Sequence, residues 1–254
     1  MKVLRDTWLI FQRHILLMVR SPLWVFLGIA QPVVYLVLFA PLLKPALQSM
    51  GATSMLDAYR VYVPGMLVAL AIGGGLYVGF GLLGDLANGV IERSRVTTVS
   101  RVALLLGRAL RDVVTVVVQS LVITVLSLPF GLITNIGNIL LGYAILALIS
   151  LAAAAISYGI AIKVNNPNVL GQVINNVAQP LMLLSGTLLP LALAPLWLRT
   201  IADYNPFNWA VTGMRALYAG NPGDTHVWGS LVFCGAVVIA AVAWSASLFA
   251  RSVK

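Results

Sequence analysis

The sequence predicts an all-α polytopic integral membrane protein with six transmembrane helices and an N-terminal interfacial amphipathic helix. Three observations carry that prediction. Of the 254 residues, 60% are hydrophobic and only 9% charged, whereas a soluble domain is about a quarter charged. Six stretches reach the roughly 20 largely apolar residues that a crossing helix needs. The basic residues, finally, are spread unevenly between the loops that alternate crossings would place on opposite sides.

The predicted spans are residues 23–43, 61–83, 113–133, 139–162, a broken fifth from about 169 to 193, and 227–250. They absorb most of the chain, so residues 1–254 read as a single transmembrane domain with an N-terminal segment 1–22, a basic loop 85–112 and a longer loop 195–226. An even number of spans puts both termini on one side. The N-terminus, the 85–112 loop, the Lys163 turn and the C-terminus hold twelve of the 16 Lys and Arg, leaving Lys44, Arg60, Arg199 and Arg215 for the other side. Both termini are therefore expected in the cytoplasm, with the protein in the plasma or inner membrane. Were span five, interrupted by Pro180 and Pro190, to turn back instead of crossing, the C-terminus would lie outside.

Residues 2–20 carry Lys2, Arg5, Asp6, Gln12, Arg13 and Arg20 within one arc of roughly 120° when wound at helical pitch, and Val3, Leu4, Trp8, Phe11, Ile15, Met18 and Val19 outside it. That is the pattern of a helix lying in the membrane interface. Leu9 and Leu16 fall inside the polar arc and are expected to pack on a neighbouring element, and Ser21-Pro22 ends the helix. The net charge of +9, which in a soluble chain would point to nucleic acid, is met by the bilayer's cytoplasmic face, and no nucleic-acid partner is expected.

Several chemistries are excluded or disfavoured by residue types alone. Phosphate-loop ATP binding needs a lysine followed by Ser or Thr; Lys2, Lys44 and Lys163 are followed by Val, Pro and Val, and Lys254 is the last residue. His14, His226 and Cys234 lack partners at metal-ligand spacing. The single cysteine excludes an intrachain disulfide, and mid-span it reads as a small buried apolar residue. An intramembrane serine protease would need Gly-x-Ser-Gly, but Leu183-Leu184-Ser185-Gly186 lacks the first glycine. A proton-coupled carrier needs a carboxylate at membrane depth. None falls within the six predicted spans, and Asp85 and Asp112 read as solvated span ends. The Asn-Pro pairs at Asn166, Asn205 and Asn221 read as turn formers. Gly75 and Gly79 form a Gly-x-x-x-Gly pair that serves intrachain packing or a subunit interface equally well.

The 85–112 loop mixes Glu92, Arg93, Arg95 and Arg101 with Val90, Ile91, Val96 and Val99, an apolar ridge beside ion-pair formers that suits docking into a partner's groove. From Asp85 to Arg108 this stretch resembles the coupling segment of the ABC-2 permease family, close to its daunorubicin-exporter type. Ser185-Gly186-Thr-Leu-Leu-Pro190 and Asn205-Pro206-Phe-Asn-Trp-Ala-Val-Thr-Gly-Met-Arg215 are similar to the family's span-five motif and its re-entrant extracellular segment. Thr97-Thr98-Val99-Ser100 departs from the family's Thr-Pro-Val-Ser by losing a proline, and Ser94 replaces a bulkier apolar residue.

The resemblance implies a type V exporter-like fold with residues 195–226 as the extracellular, re-entrant part. It also implies the membrane half of an ATP-binding cassette exporter of drugs or lipid-like amphiphiles, of the kind associated with multidrug efflux and antibiotic resistance. A second permease copy, most simply a homodimer, and a separate cytoplasmic ABC ATPase would complete it. ATP and Mg would bind on that partner, with no cofactor and no catalytic residue on this chain. Glu92 would meet a basic residue of the ATPase, with Arg93, Arg95 and Arg101 around it. A path for amphiphiles should be mostly apolar with a few uncharged hydrogen-bonding groups. Gln31, Tyr35, Gln119, Asn175, Asn176 and Gln179 are the candidates. The rival reading is a carrier or channel that works without ATP.

Overall fold

The computed structural model describes residues 2–19, 30, 32–38, 45, 54–88, 101–132, 134–187 and 191–251, which form helices and turns and, among the described residues, no strand. The helices are α1 (Lys2–Val19), α2 (Met55–Leu76), α3 (Gly79–Ala87), α4 (Arg101–Ser127), α5 (Ile136–Val164), α6 (Pro167–Leu184), α7 (Leu196–Asp203), α8 (Pro206–Tyr218) and α9 (Thr225–Arg251). Residues 32–38, from the first predicted span, are helical; the remainder of that span lies almost wholly outside the described residues.

Local chemistry explains the helix starts. Ser54 and Asp57 close a reciprocal capping box at α2: the Asp57 amide donates to Ser54 Oγ at 3.3 Å and the Ser54 amide to Asp57 Oδ2 at 3.0 Å. Two of the three Asn-Pro pairs, read from sequence as turn formers, open helices instead. Asn166 and Asn205 accept amides of the first turns of α6 and α8, while Pro167 and Pro206 occupy the first helical position, where no amide is missed. Asn165 closes α5 at φ 47°, a left-handed position that Asn tolerates.

Among the described residues, four stretches are long and apolar enough to cross a bilayer: Leu56–Ala87, Leu106–Phe130, Ile136–Val164 and Thr225–Leu248. They correspond to predicted spans two, three, four and six, with shifted bounds. The helix within the fifth predicted span is α6, which ends at Leu184 and is not among these four. The third begins earlier than predicted, because Arg108, Arg111 and Asp112 are folded into α4.

The bundle is organised around α5. This helix is apolar all round and packs against α2, α3, α4, α6, α8 and α9. Its neighbours approach closely because small residues face one another. A Cβ added at Gly75 would stand 2.6 Å from Ala153 Cβ, and one at Gly79 would meet Ser157. The Gly-x-x-x-Gly pair is thereby committed to intrachain packing on α5, which resolves its two sequence readings. At Gly107, in the same way, α4 receives Ile10 and the Thr7 carbonyl of α1.

The contacts sort the helix ends into two sets. Asp85, Arg108, Tyr158 and the α1 docking point cluster at one end of the bundle. Tyr59, Phe130, Asn138, Leu217 and Tyr218 gather at the other. The latter part of α9 lies at the α1 end, where Trp244 covers Gly159. The N-terminal helix and the C-terminal part of α9 thus share the end from which the 89–100 connection leaves.

Candidate coupling cluster and substrate path

At the α1 end, four elements bring charge together. Asp85, in the last turn of α3, is ion-paired with Arg108 of α4. One turn further along α4, Asp112 receives the Arg111 guanidinium at 2.6 Å and the Tyr158 hydroxyl of α5 at 2.7 Å. Asp112 is only 5% exposed, which overturns its reading as a solvated span end: a carboxylate can enter the protein here because an arginine and a phenol replace its water. His14 of α1 completes the cluster. Its imidazole is pushed down to about 4 by burial first and then by the Arg108 and Arg111 guanidiniums, against the opposing pull of Asp85, so it is neutral near pH 7.

Ser157, the residue before Tyr158, holds the break between α2 and α3. Where helical bonding lapses around Tyr77 and Val78, Ser157 Oγ accepts the Gly79 amide at 3.0 Å and donates to the Leu76 carbonyl. A kink in an apolar span is tolerable when a side chain satisfies the freed backbone groups in this way.

At the opposite end, α8 inserts between α2, α5 and α9 with one face buried. Pro64 lies within α2, and three residues before it the Val61 carbonyl accepts Arg215 Nε at 3.0 Å, while the carbonyl of Gly186, in the turn closing α6, accepts Nη2 at 2.7 Å. A guanidinium at the carbonyl end of α6 also complements the helix dipole. Beside it, Tyr143 donates to Thr124 Oγ1 at 3.1 Å, Tyr218 lies 3.2 Å from the same oxygen, and Asn138 Nδ2 donates to the Leu217 carbonyl at 3.0 Å. Ser185 Oγ donates to the Met182 carbonyl, and His226 pairs with Asp224 at 2.8 Å. Both are helix-end roles. No group of three His, Cys, Asp or Glu that could hold a metal occurs among the described residues.

Of the residues singled out for coupling, Glu92, Arg93 and Arg95 lie outside the described residues, and Arg101 is the first residue of α4. Of the path candidates, Gln31 lies outside them as well. Tyr35 is 45% exposed on the 32–38 helical piece, and Gln119 is buried at 9% exposure within α4. Asn175, Asn176 and Gln179 are exposed on α6, where Asn175 Oδ1 accepts the Tyr77 hydroxyl at 2.6 Å. The fold joins Asn175 of α6 to Tyr77. Gln119 belongs elsewhere, because α4 packs on α1, α2, α5 and α9, and α6 on α2, α3, α5 and α7.

The expectation that Leu9 and Leu16 pack on a neighbouring element is corrected: they are 52% and 58% exposed, since α1 turns Thr7 and Ile10 toward α4. Sequence reasoning passed over Ser157 and Tyr158, and missed the pairing of Arg108 and the burial of Asp112. A signal was present. Arg108 and Asp112 stand four apart, and Ser157-Tyr158 are two adjacent hydroxyl residues in an otherwise apolar stretch.

Comparison with known proteins accords with this architecture. Residues 5–218 match the family model described as ABC-2 type transporter. The chain is 27% identical over 216 residues to the "Daunorubicin resistance ABC transporter permease protein DrrB1" of Streptomyces coeruleorubidus, covering 84% of this chain and 74% of that protein. It is 26% identical to the "Putative transport permease ycf38" of Porphyra purpurea, covering 86% of this chain and 75% of the relative. With the ycf38 protein of Cyanophora paradoxa the identity is 25%, over 85% and 75% respectively. The family match spans most of the chain and agrees with the apolar helical bundle, so this protein belongs to the ABC-2 type transporter family, as a multi-pass membrane permease.

Proposed function

We propose that the chain is the permease subunit of an ATP-driven exporter of amphiphilic drugs or lipid-like molecules, worked by a separate cytoplasmic ABC ATPase and paired with a second permease copy. In this reading there are six crossings, the first within residues 20–53 and the fifth formed by α6. The α1 end faces the cytoplasm and residues 195–226 form the extracellular, re-entrant part. The observation that carries it is the cross-brace at the roots of the 89–100 connection. Asp85 and Arg108 tie the two legs, and Asp112 ties one leg to α5, so a push on the connection would be delivered to the helix that touches the rest of the bundle.

Buried Asp112 gives the rival, a proton-coupled carrier, a specific point in its favour, because a carboxylate does stand inside a span. It loses on geometry: the carboxylate, six residues into the Leu106–Phe130 stretch, is engaged by Arg111 and Tyr158, whereas a carrier's group must meet solvent from each side in turn.

The test is reconstitution in proteoliposomes with and without a cognate ABC ATPase, using daunorubicin as the fluorescent probe and E. coli polar lipid. Uptake that requires both the ATPase and ATP is expected, with Glu92→Gln lowering probe-stimulated ATP turnover several-fold while the complex still assembles. Uptake by the isolated chain under a pH gradient would establish the carrier instead.

A further inference from the structure

Three consecutive residues of α5 each grip a different helix. Ser157 bridges the Leu76 carbonyl and the Gly79 amide, across the α2–α3 break. The Tyr158 hydroxyl donates to Asp112 of α4 at 2.7 Å. Gly159 lies under the Trp244 indole of α9, so close that a Cβ there would stand 2.7 Å from Cε3. Successive residues of an α-helix point about 100° apart, so three neighbours span about 200° of it and can address three separate helices. In a bundle whose other α5 contacts are mainly apolar, this concentration marks one level of α5 as the place where its neighbours are fixed in register.

The same level sits directly below the cross-braced loop legs. Asp85 and Arg108 make the end of α3 and the start of α4 move together, and Asp112 follows one turn after Arg108. Beside the Tyr158–Asp112 bond lies a small apolar cavity between α4, α5 and α9, lined by Leu106, Ala109, Ala155, Tyr158 and Ser245 among others. The surfaces that meet around it are apolar, and apolar surfaces resist sliding weakly. A buried hydrogen bond to a charged acceptor resists it strongly, because breaking it strands a carboxylate lone pair away from water.

We propose that Ser157, Tyr158 and Gly159 form a transmission node. Tyr158 acts as a positioning residue that converts movement of the loop legs into movement of α5, and through Ser157 and Gly159 into movement of α2 and α9. The inference rests on the ATPase-driven reading above. It adds residues outside the docking loop and outside the substrate path, and assigns them to coupling.

The experiment uses the full chain in complex with its ATPase, in a Cys234→Ala background, with bimane attached either at Asn88→Cys, beside the loop, or at Leu196→Cys, at the far end. ATP with orthovanadate should change bimane emission at both sites in the parent complex. Tyr158→Phe should keep the response at residue 88 and reduce that at 196 at least several-fold. Asp112→Asn, which retains an oxygen acceptor for the Tyr158 hydroxyl, should keep both. An undiminished response at 196 in Tyr158→Phe, or loss of ATPase capture by that variant, would overturn the node. So would loss at 196 in Asp112→Asn. Absence of any response at 88 in the parent complex would instead sink the ATPase-driven reading, and the node with it, which separates the two failures.

Discussion

His14 shows how a single side chain reports its surroundings. Its imidazole titrates at about 4 instead of 6.5, because burial and two arginines oppose a third positive charge. A histidine with a lowered folded value binds fewer protons than the unfolded chain between those two pH values, so its contribution to stability is intact above about 6.5 and is lost as pH falls toward 4. His14→Gln is expected to flatten the acid limb of thermal stability in that window, by about 1 kcal/mol once solvent screening at a part-exposed site is allowed for, with little change at pH 8. Melting curves of detergent-solubilised protein from pH 4 to 8 measure it. Glycines give a second contrast at this scale. Gly75→Ala drives a methyl to within 2.7 Å of the Ser150 carbonyl, whereas at Gly81 nothing lies within 4 Å of the added Cβ. The first should cost about 1–3 kcal/mol as overpacking and the second should be neutral or stabilising by up to about 1 kcal/mol, read from the same melts.

At the scale of elements, the broken second span is held by a residue of another helix, and that makes it testable. Ser157→Ala leaves the Leu76 carbonyl and the Gly79 amide without their side-chain partner in an apolar setting. A loss of about 1–3 kcal/mol is expected, together with faster hydrogen exchange confined to residues 76–80. Unchanged exchange there would mean that the break satisfies itself. The same element shows what the sequence could and could not convey. Apolar length is a local property, so four crossings and the amphipathic α1 were legible from runs and periodicity alone. The start of α4 was not: Arg108, Arg111 and Asp112 read as the solvated end of a span until Asp85, Tyr158 and His14 arrive from three other elements to enclose them. The α6 amides were visible as polar positions in an apolar stretch, but the bond from Tyr77 to Asn175 joins residues 98 apart, and no local spacing announces such a pair. Leu9 and Leu16 were legible as exceptions to the α1 pattern; their exposure followed from which side of α1 faces α4.

For the whole molecule, the decisive property is how its outer surface divides between apolar and polar faces. Exposed residues of α9 such as Val232 and Ile239, and of α4 such as Leu121 and Val125, are what a lipid-facing surface requires. The exposed face of α6 is different, since Gln172, Asn175, Asn176 and Gln179 recur on it at helical spacing. A side-chain amide turned to hydrocarbon without a partner costs several kcal/mol, and a row of them would make α6 the least stable crossing of the bundle. That cost disappears if the row faces water or a second copy across a wet path, as the exporter reading requires. The two surfaces can be compared directly by thiol chemistry in a Cys234→Ala background, because a charged methanethiosulfonate reacts only where water reaches. Asn176→Cys is expected to react at least ten-fold faster than Ile239→Cys, which is 73% exposed in the single chain and should be shielded by lipid. Under the exporter reading, daunorubicin should slow the reaction at 176 and leave that at 239 alone. Equal, slow rates at both positions would place α6 against lipid and remove Asn175, Asn176 and Gln179 from the path. A fast rate that daunorubicin leaves unchanged would keep the wet face while withdrawing that compound as its ligand, and so would separate the architecture of the path from the identity of what travels along it.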